Sequence, residues 1–101
     1  MNSFSRFNKS ANFCSSEFDK TNFRNAKFKA NADFYNIKLN GLNADFGMST
    51  FFDDVSFDAS ASDCTLDMRY AKFFNNVYFN EGKFEGAIFF GSKVRGRAKF
   101  D

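Results

Sequence analysis

The chain contains no histidine, no proline and no tryptophan, and it has only two cysteines. Without histidine it lacks the usual general base and the commonest metal ligand, and neither a Ser–His–Asp nor a Cys–His arrangement can form. The longest apolar run, Ala87–Phe90, has four residues, whereas a membrane-spanning helix needs about 20. We therefore predict a protein that is not an enzyme, with no catalytic, cofactor-binding or metal-binding residues, no cofactor and no membrane partner.

The two cysteines, Cys14 and Cys64, are too few for a disulfide scaffold. Reduced thiols are typical of a reducing compartment, so the expected location is cytoplasmic. The net charge excludes few classes of partner, because 14 Lys and Arg nearly balance 12 Asp and Glu, which gives +2. The aspartates of residues 53–67 lack the glycine and terminal glutamate of a calcium loop.

What the chain has in abundance is phenylalanine, 18 of 101 residues, and it recurs at a fixed spacing. A large residue stands at every fifth position, usually two positions after a small one. The clearest runs are Phe13, Phe18, Phe23 and Phe28, and later Phe79, Phe84, Phe89 and Val94. Neither an α-helix nor a flat strand brings every fifth residue to one face. The spacing indicates a chain that bends once every five residues and buries one residue on each side.

Longer steps, of six residues, divide this repeat into coils of four sides. They recur at nearly equal intervals along the chain and begin at Phe7, Phe28, Phe51, Phe73 and Val94. The predicted central residues are 13, 18, 23 and 28; 34, 39, 46 and 51; 57, 62, 68 and 73; and 79, 84, 89 and 94, with Phe100 beginning a fifth coil. In the third coil Leu66 competes with Met68 for the third side, and Ser62 stands where other coils have a large residue.

This pattern resembles the pentapeptide-repeat family, whose consensus is A(D/N)LXX, here in a form centred on phenylalanine. The strings ANF at 11–13, TNF at 21–23 and ADF at 32–34 and 44–46 carry the resemblance, which covers nearly the whole chain. It implies an all-β fold, a right-handed quadrilateral parallel β-helix of about four to five coils. We assign residues 11–101 to this solenoid and residues 1–10 to an N-terminal cap or lead-in.

Outward residues, sorted by side, predict one basic and one acidic face. The first side carries Asp33, Asp58, Glu81 and Asp101. On the fourth side Phe52 and Phe74 directly follow central residues, so we expect them to point outward, one above the other. They either form a binding hot spot or merely cover a corner of the backbone. The candidate interaction face, called the basic-aromatic face below, comprises Lys27, Lys29, Phe52, Lys72, Phe74, Lys93 and Arg95.

Several functions remain open at this point. A rigid solenoid without a cleft favours a non-enzymatic scaffold that binds a protein partner through a flat face. The resemblance also implies a DNA mimic that binds DNA gyrase or topoisomerase, but such members are strongly acidic and dimeric, so this chain would have to be part of a longer dimer. A third reading is direct nucleic-acid binding, in which the cations contact phosphates and the two exposed rings stack on bases.

The ends of the solenoid are a separate feature. Unpaired strand edges invite association, so we expect a longer chain, a partner or a homo-oligomer to cover them. Between Lys38 and Arg69 there are six aspartates and no Lys or Arg. The middle coils are therefore acidic and both ends are basic, which favours head-to-tail stacking of copies.

Overall fold

A computed structural model describes residues 5–41 and 43–100. The described residues form short strands joined by tight turns and no helix. Most strands have two residues, because the chain turns at about every fifth residue. The strands are Arg6–Phe7 (β1), Ala11–Asn12 (β2), Glu17–Phe18 (β3), Thr21–Asn22 (β4), Lys27–Phe28 (β5), Ala32–Asp33 (β6), Lys38–Leu39 (β7), Asn43–Asp45 (β8), Thr50–Phe51 (β9), Val55–Ser56 (β10), Ala61–Asp67 (β11), Lys72–Phe73 (β12), Val77–Tyr78 (β13), Lys83–Ile88 (β14), Lys93–Val94 (β15) and Ala98–Lys99 (β16).

All strand pairs are parallel, and each strand pairs with strands one coil away. The order β1-β5-β9-β12-β15 forms the fourth side, and the order β2-β6-β10-β13-β16 forms the first side. The second and third sides share one sheet, because β11 and β14 each continue from one side to the next. The described residues thus form an all-β parallel β-helix of four sides and about four turns, which confirms the predicted fold class.

The register of the third coil follows the predicted centres. Ser62 pairs with Leu39 on one side and with Phe84 on the other. Leu66 pairs with Ala44, a small-residue position, so Met68 is the central residue. The Ser62 hydroxyl donates a hydrogen bond to the carbonyl of Cys64 at 2.6 Å. Cys64 is itself buried beside it, so in this coil the second side has two small side chains where the first and fourth sides have the rings of Phe57 and Phe73.

The fourth-side sheet begins earlier than the predicted solenoid boundary at residue 11. Strand β1 pairs with β5, and the ring of Phe7 stacks on Phe28 with 4.7 Å between centroids. Part of the segment predicted as a cap or lead-in is therefore the first strand of a sheet. Residues 1–4 of that segment lie outside the described residues, as does Asp101, which was predicted for the acidic first side.

The core is a set of ring columns along the solenoid axis. Phe51 stacks on Phe28 at 4.8 Å and on Phe73 at 5.1 Å, with the rings within 4° of parallel. Rings of different sides meet edge to face, as Phe34 and Phe46 do at 5.5 Å. Strands in a sheet are about 4.8 Å apart, a separation at which aromatic rings are in contact. The sheet spacing itself therefore packs the phenylalanine columns, and each buried ring contributes roughly 1.5–3 kcal/mol.

Turns on the first and third sides differ chemically from those on the other two. On these sides, the side-chain oxygen of the residue before the centre accepts the backbone N–H of the residue after it. Examples are Asn22 with Arg24 at 3.0 Å and Asp33 with Tyr35 at 3.0 Å. Further along the same turns, seven residues other than glycine have φ between +57° and +61°: Ser15, Asn25, Asn36, Met48, Ala59, Tyr70 and Glu81.

This turn chemistry segregates charge between the sides. The acceptors on the first and third sides are Asn12, Asn22, Asp33, Asp45, Ser56 and Asp67. On the fourth side the equivalent position needs no acceptor and holds lysine in three of its strands, β5, β12 and β15. The Asp or Asn of the repeat therefore belongs to the first and third sides, and lysine takes the same position on the fourth side.

Candidate interaction face

The basic-aromatic face consists of two columns of side chains on the fourth side. The first residue of each strand forms one column in register, Arg6, Lys27, Thr50, Lys72 and Lys93. The residue after each centre forms the other column, Lys29, Phe52, Phe74 and Arg95, each donating its backbone N–H to the coil before it. All seven predicted residues of the face therefore lie together. Within each column, neighbouring side chains stand on adjacent strands.

Phe52 and Phe74 form an exposed stacked pair. Their centroids are 5.2 Å apart, their planes differ by 5°, and each residue is 39% exposed. The predicted outward, superposed placement of these rings is confirmed.

A cation covers each end of this pair. The Nζ atom of Lys29 lies 4.2 Å from the centroid of Phe52, and the guanidinium carbon of Arg95 lies 5.6 Å from that of Phe74. Lys29 is one coil before Phe52, and Arg95 is one coil after Phe74, so the order along the column is cation, ring, ring, cation. The ring faces are thus occupied, and the edges, which carry partial positive charge, are what the stack presents outward.

A shallow hollow lies between the two columns toward the last coils. Its volume is about 210 Å³, and Lys72, Phe74, Lys93 and Arg95 line it above the central Phe73. Three cations and a ring edge surround this hollow. The three cations favour an anionic group, and the two phenylalanines with the side-chain stems leave the wall of the hollow largely apolar.

The acidic residues of this side do not neutralise the face. The Asp53 carboxylate accepts hydrogen bonds from the Asp54 backbone at 2.8 Å and from Asn75 at 3.3 Å. That of Asp54 accepts the backbone N–H of Asn76 at 3.1 Å. Both carboxylates hold the corner between the fourth and first sides.

Ion pairs lie elsewhere on the solenoid. In the described part of the chain they join Arg24 to Asp45 and Arg69 to Asp67, all on the third side. The cations of the basic-aromatic face are not engaged in them.

Sequence reasoning missed two features of the exposed surface. Arg6 extends the lysine column by one coil, and the register of the fourth side, continued backward from Lys27, would have found it. On the third side Tyr70 and Phe90 form an exposed edge-to-face pair at 5.7 Å. Gly91 packs directly against the ring of Tyr70. A Cβ atom at this position would lie 2.5 Å from two ring atoms, so only glycine fits without displacing the ring.

The remaining chemistry-bearing groups are dispersed. Over residues 5–41 and 43–100, no three carboxylates or thiols are close enough to hold a metal ion. Within the same residues, no helix has the length and apolar character to cross a membrane. Cys14 and Cys64 are free thiols. Partial burial and, to a smaller extent, a hydrogen bond to Asp33 raise the pKa of the Cys14 thiol, which favours its protonated form.

No family model matches the chain, and neither the curated proteins nor the solved structures give a match. The fold defines the class of the molecule, a β-helical repeat protein.

Proposed function

We propose that the chain is a non-enzymatic interaction scaffold of the pentapeptide-repeat type, which binds an acidic protein surface through the basic-aromatic face. The observation that carries this proposal is the exposed stack of Lys29, Phe52, Phe74 and Arg95, whose cations form no ion pair with a carboxylate of residues 5–41 and 43–100. Exposed aromatic residues beside arginine are typical of binding hot spots. The parallel four-sided solenoid provides a rigid support for them.

The sheet beneath the face supports rigid-body recognition. The central residues under the face, Phe28, Phe51 and Phe73, are at most 2% exposed and stacked in register. Side chains held on such a support lose little conformational freedom when a partner binds, so more of the interaction energy appears as affinity. Binding through the face should also weaken with salt, because the lysine column is exposed to solvent.

Nucleic acid is the less supported partner. Proteins that bind single strands stack bases on the open faces of aromatic rings. Here each of the two rings has its neighbour on one face and a cation on the other. Base stacking would require Lys29 or Arg95 to leave its ring. Binding of gyrase or topoisomerase by DNA mimicry has no observation of this face in its favour, because mimicry requires an acidic surface.

The cytoplasmic location belongs to the same proposal. Two free thiols, one of them buried in the core, are typical of proteins kept in a reducing compartment.

The proposal is tested with defined anionic probes. Binding of a fluorescent Glu- and Asp-rich peptide is compared with that of single-stranded and duplex DNA of the same net charge, by anisotropy at low and physiological salt. The face variant is Lys29→Gln with Arg95→Gln, and a second variant is Phe52→Leu with Phe74→Leu. The control is Lys38→Gln with Lys83→Gln, which removes two exposed cations of the second side from the strand position that Lys27 and Lys93 occupy on the fourth side.

We expect each face variant to weaken peptide binding about tenfold, equivalent to about 1.4 kcal/mol, and the control to change it much less. Equal losses in face and control variants would mean that only overall charge attracts the peptide, and the proposal would fail. Tighter binding of DNA than of peptide, lost in the face variants, would establish nucleic acid as the partner instead.

A further inference from the structure

The two ends of the solenoid expose opposite edges of the same sheets. Strands β1, β2, β3 and β4 lie at one edge, and β14, β15 and β16 lie at the other. Each of these strands has a partner on one side only among the described strands. Its outward backbone groups are therefore a template for another strand.

The end formed by β14, β15 and β16 is also apolar. Phe79, Phe84, Phe89 and Phe100 line a hollow of about 300 Å³ there. Phe100 is 62% exposed and Val94 is 39% exposed. Phe57 and Phe73, which occupy the same columns one or two coils earlier, are at most 2% exposed. Another layer of the solenoid would bury these end residues in the same way.

The geometry points to a second copy of this chain as that layer, and we propose that copies stack head to tail. The first described strand, β1, lies on the fourth side, and the last, β16, lies on the first side. The side that follows the first is the second. A half-turn about the solenoid axis puts β1 of the next copy on the second side, where the spiral path from Phe100 would continue.

In this arrangement every side gains one layer. Strand β1 of the next copy lies on the beginning of β14, β2 lies on its end, β3 lies on β15 and β4 lies on β16. The stacked columns continue through the contact, with Phe18 of the next copy above Val94, as Val94 itself lies above Phe73 in the chain. The other pairs are Phe7 above Phe84, Phe13 above Phe89 and Phe23 above Phe100. Any other quarter-turn leaves at least one side without a layer.

Charge complementarity supports the same arrangement. With β3 on β15, Glu17 of the next copy faces Lys93, and Asp19 faces Arg95. The amide of Asn40 donates to Glu17 at 2.7 Å and to Asp19 at 3.4 Å, which holds both carboxylates at this edge. Within the chain Glu17 already lies beside a cation, because it is in register with Lys38.

The arrangement brings two pairs of like charges together, Arg6 of the next copy above Lys83 and Lys20 above Arg97. The chain already tolerates such pairs, since Arg6 is in register with Lys27, and Lys72 is in register with Lys93. The contact is heterologous and does not close, so it produces a filament. Each copy would advance by four and a half coils, about 22 Å at a strand spacing of about 4.8 Å, and turn by half a revolution.

The test uses charge reversal at the two ends of the full chain. One variant is Glu17→Lys with Asp19→Lys, and the other is Lys93→Glu with Arg95→Glu. Mass is followed by sedimentation velocity over a concentration series, and circular dichroism verifies the fold of each variant. We expect the unmodified chain to grow in mass with concentration without reaching a plateau. Each variant alone should remain monomeric at those concentrations.

Mixing the two variants provides the decisive comparison. In the mixture a reversed end meets a complementary reversed end, so association should return on mixing. For the unmodified filament, electron micrographs should show an axial rise of about 22 Å per copy and a full repeat of about 44 Å after two copies, both set by the strand spacing. Asp63→Lys, an exposed charge reversal in the interior strand β11, is the control and should assemble like the unmodified chain. A monomer at all concentrations, a dimer that does not grow, or two variants that gain nothing on mixing would overturn the proposal.

Discussion

The carboxylate of Asp67 and the guanidinium of Arg69 form a paired contact across a single turn of the third side. The Nη2 and Nε atoms of Arg69 donate to Asp67 at 2.7 and 3.0 Å, and its backbone N–H donates at 3.0 Å. The Asp67 side chain is 3% exposed, whereas that of Arg69 is 50% exposed. The turn acceptor is therefore a buried carboxylate that is held by a cation at the surface.

This pair predicts a dependence of stability on pH. The hydrogen bonds from Arg69, acting against burial, lower the pKa of Asp67 from its ordinary value. The stabilisation is therefore complete above the ordinary carboxyl pKa of about 4 and is lost as pH falls toward the lower pKa of the folded state. Urea unfolding between pH 7 and pH 2 should show a larger loss below pH 4 for the unmodified chain than for Asp67→Asn. Parallel curves for the two proteins would contradict this assignment.

A second prediction concerns the hydroxyl of Thr21. Thr21 is 5% exposed, and its Oγ1 atom has no hydrogen-bond partner among the described residues. Its register neighbour on the third side is Ala44, an apolar residue. Thr21→Val keeps the shape and removes the unpaired group, so we expect the free energy of unfolding to rise by about 1 kcal/mol.

The matched control is Thr50→Val on the fourth side, where the threonine is partly exposed. It should change the free energy of unfolding by less than about 0.5 kcal/mol. A destabilised Thr21→Val protein would show that the hydroxyl has a partner after all.

Backbone conformation gives a third prediction. Ala59 has φ of 57°, a conformation that costs an L-residue roughly 1–2 kcal/mol. Ala59→Gly removes this cost but increases the conformational entropy of the unfolded chain. We therefore expect the free energy of unfolding to rise by a few tenths to about 1 kcal/mol, measured by thermal or urea unfolding.

Ala61→Gly, two residues later in strand β11, serves as the opposite case. At that position the alanine is not strained, so Ala61→Gly should lower the free energy of unfolding by about 0.5–1 kcal/mol. Losses of similar size at both positions would mean that the turn at Ala59 is not strained.

A fourth prediction separates the core of the fourth side from its surface. Phe51 is 1% exposed and stacks between Phe28 and Phe73, so Phe51→Ala should lose about 3–5 kcal/mol of unfolding free energy. Its neighbour Phe52 is 39% exposed, and Phe52→Ala should lose about 1 kcal/mol, close to the value of one aromatic pair. A large loss for Phe52→Ala would make that ring a structural corner rather than a binding residue.

The central residues of each coil could be predicted from sequence because side-chain volume determines them. A large residue preceded by a small one fills the narrow interior and could be recognised directly. The third coil is the exception, because Ser62 is a small central residue and Leu66 competed with Met68 until the strand register distinguished them. The face was predictable from the central residues, since Phe52 and Phe74 must point outward if Phe51 and Phe73 point inward.

Other features depend on contacts between coils and had no local signal. The positions of Lys29 and Arg95 over the two rings follow from side-chain conformations that the spacing of residues does not specify. The restriction of turn acceptors to two sides depends on which corners adopt positive φ.

The nearly constant separation in sequence between paired strands has a consequence for how the chain folds. Ala11 pairs with Ala32, and Thr21 pairs with Ala44, in each case one coil further along the chain. Each loop that must close is therefore about one coil long, and the entropy of closing a loop depends on its own length alone. Once one pair of coils has formed, every further coil adds to an existing edge at about the same entropic cost. A longer version of this solenoid would fold by the same elementary step, repeated more times.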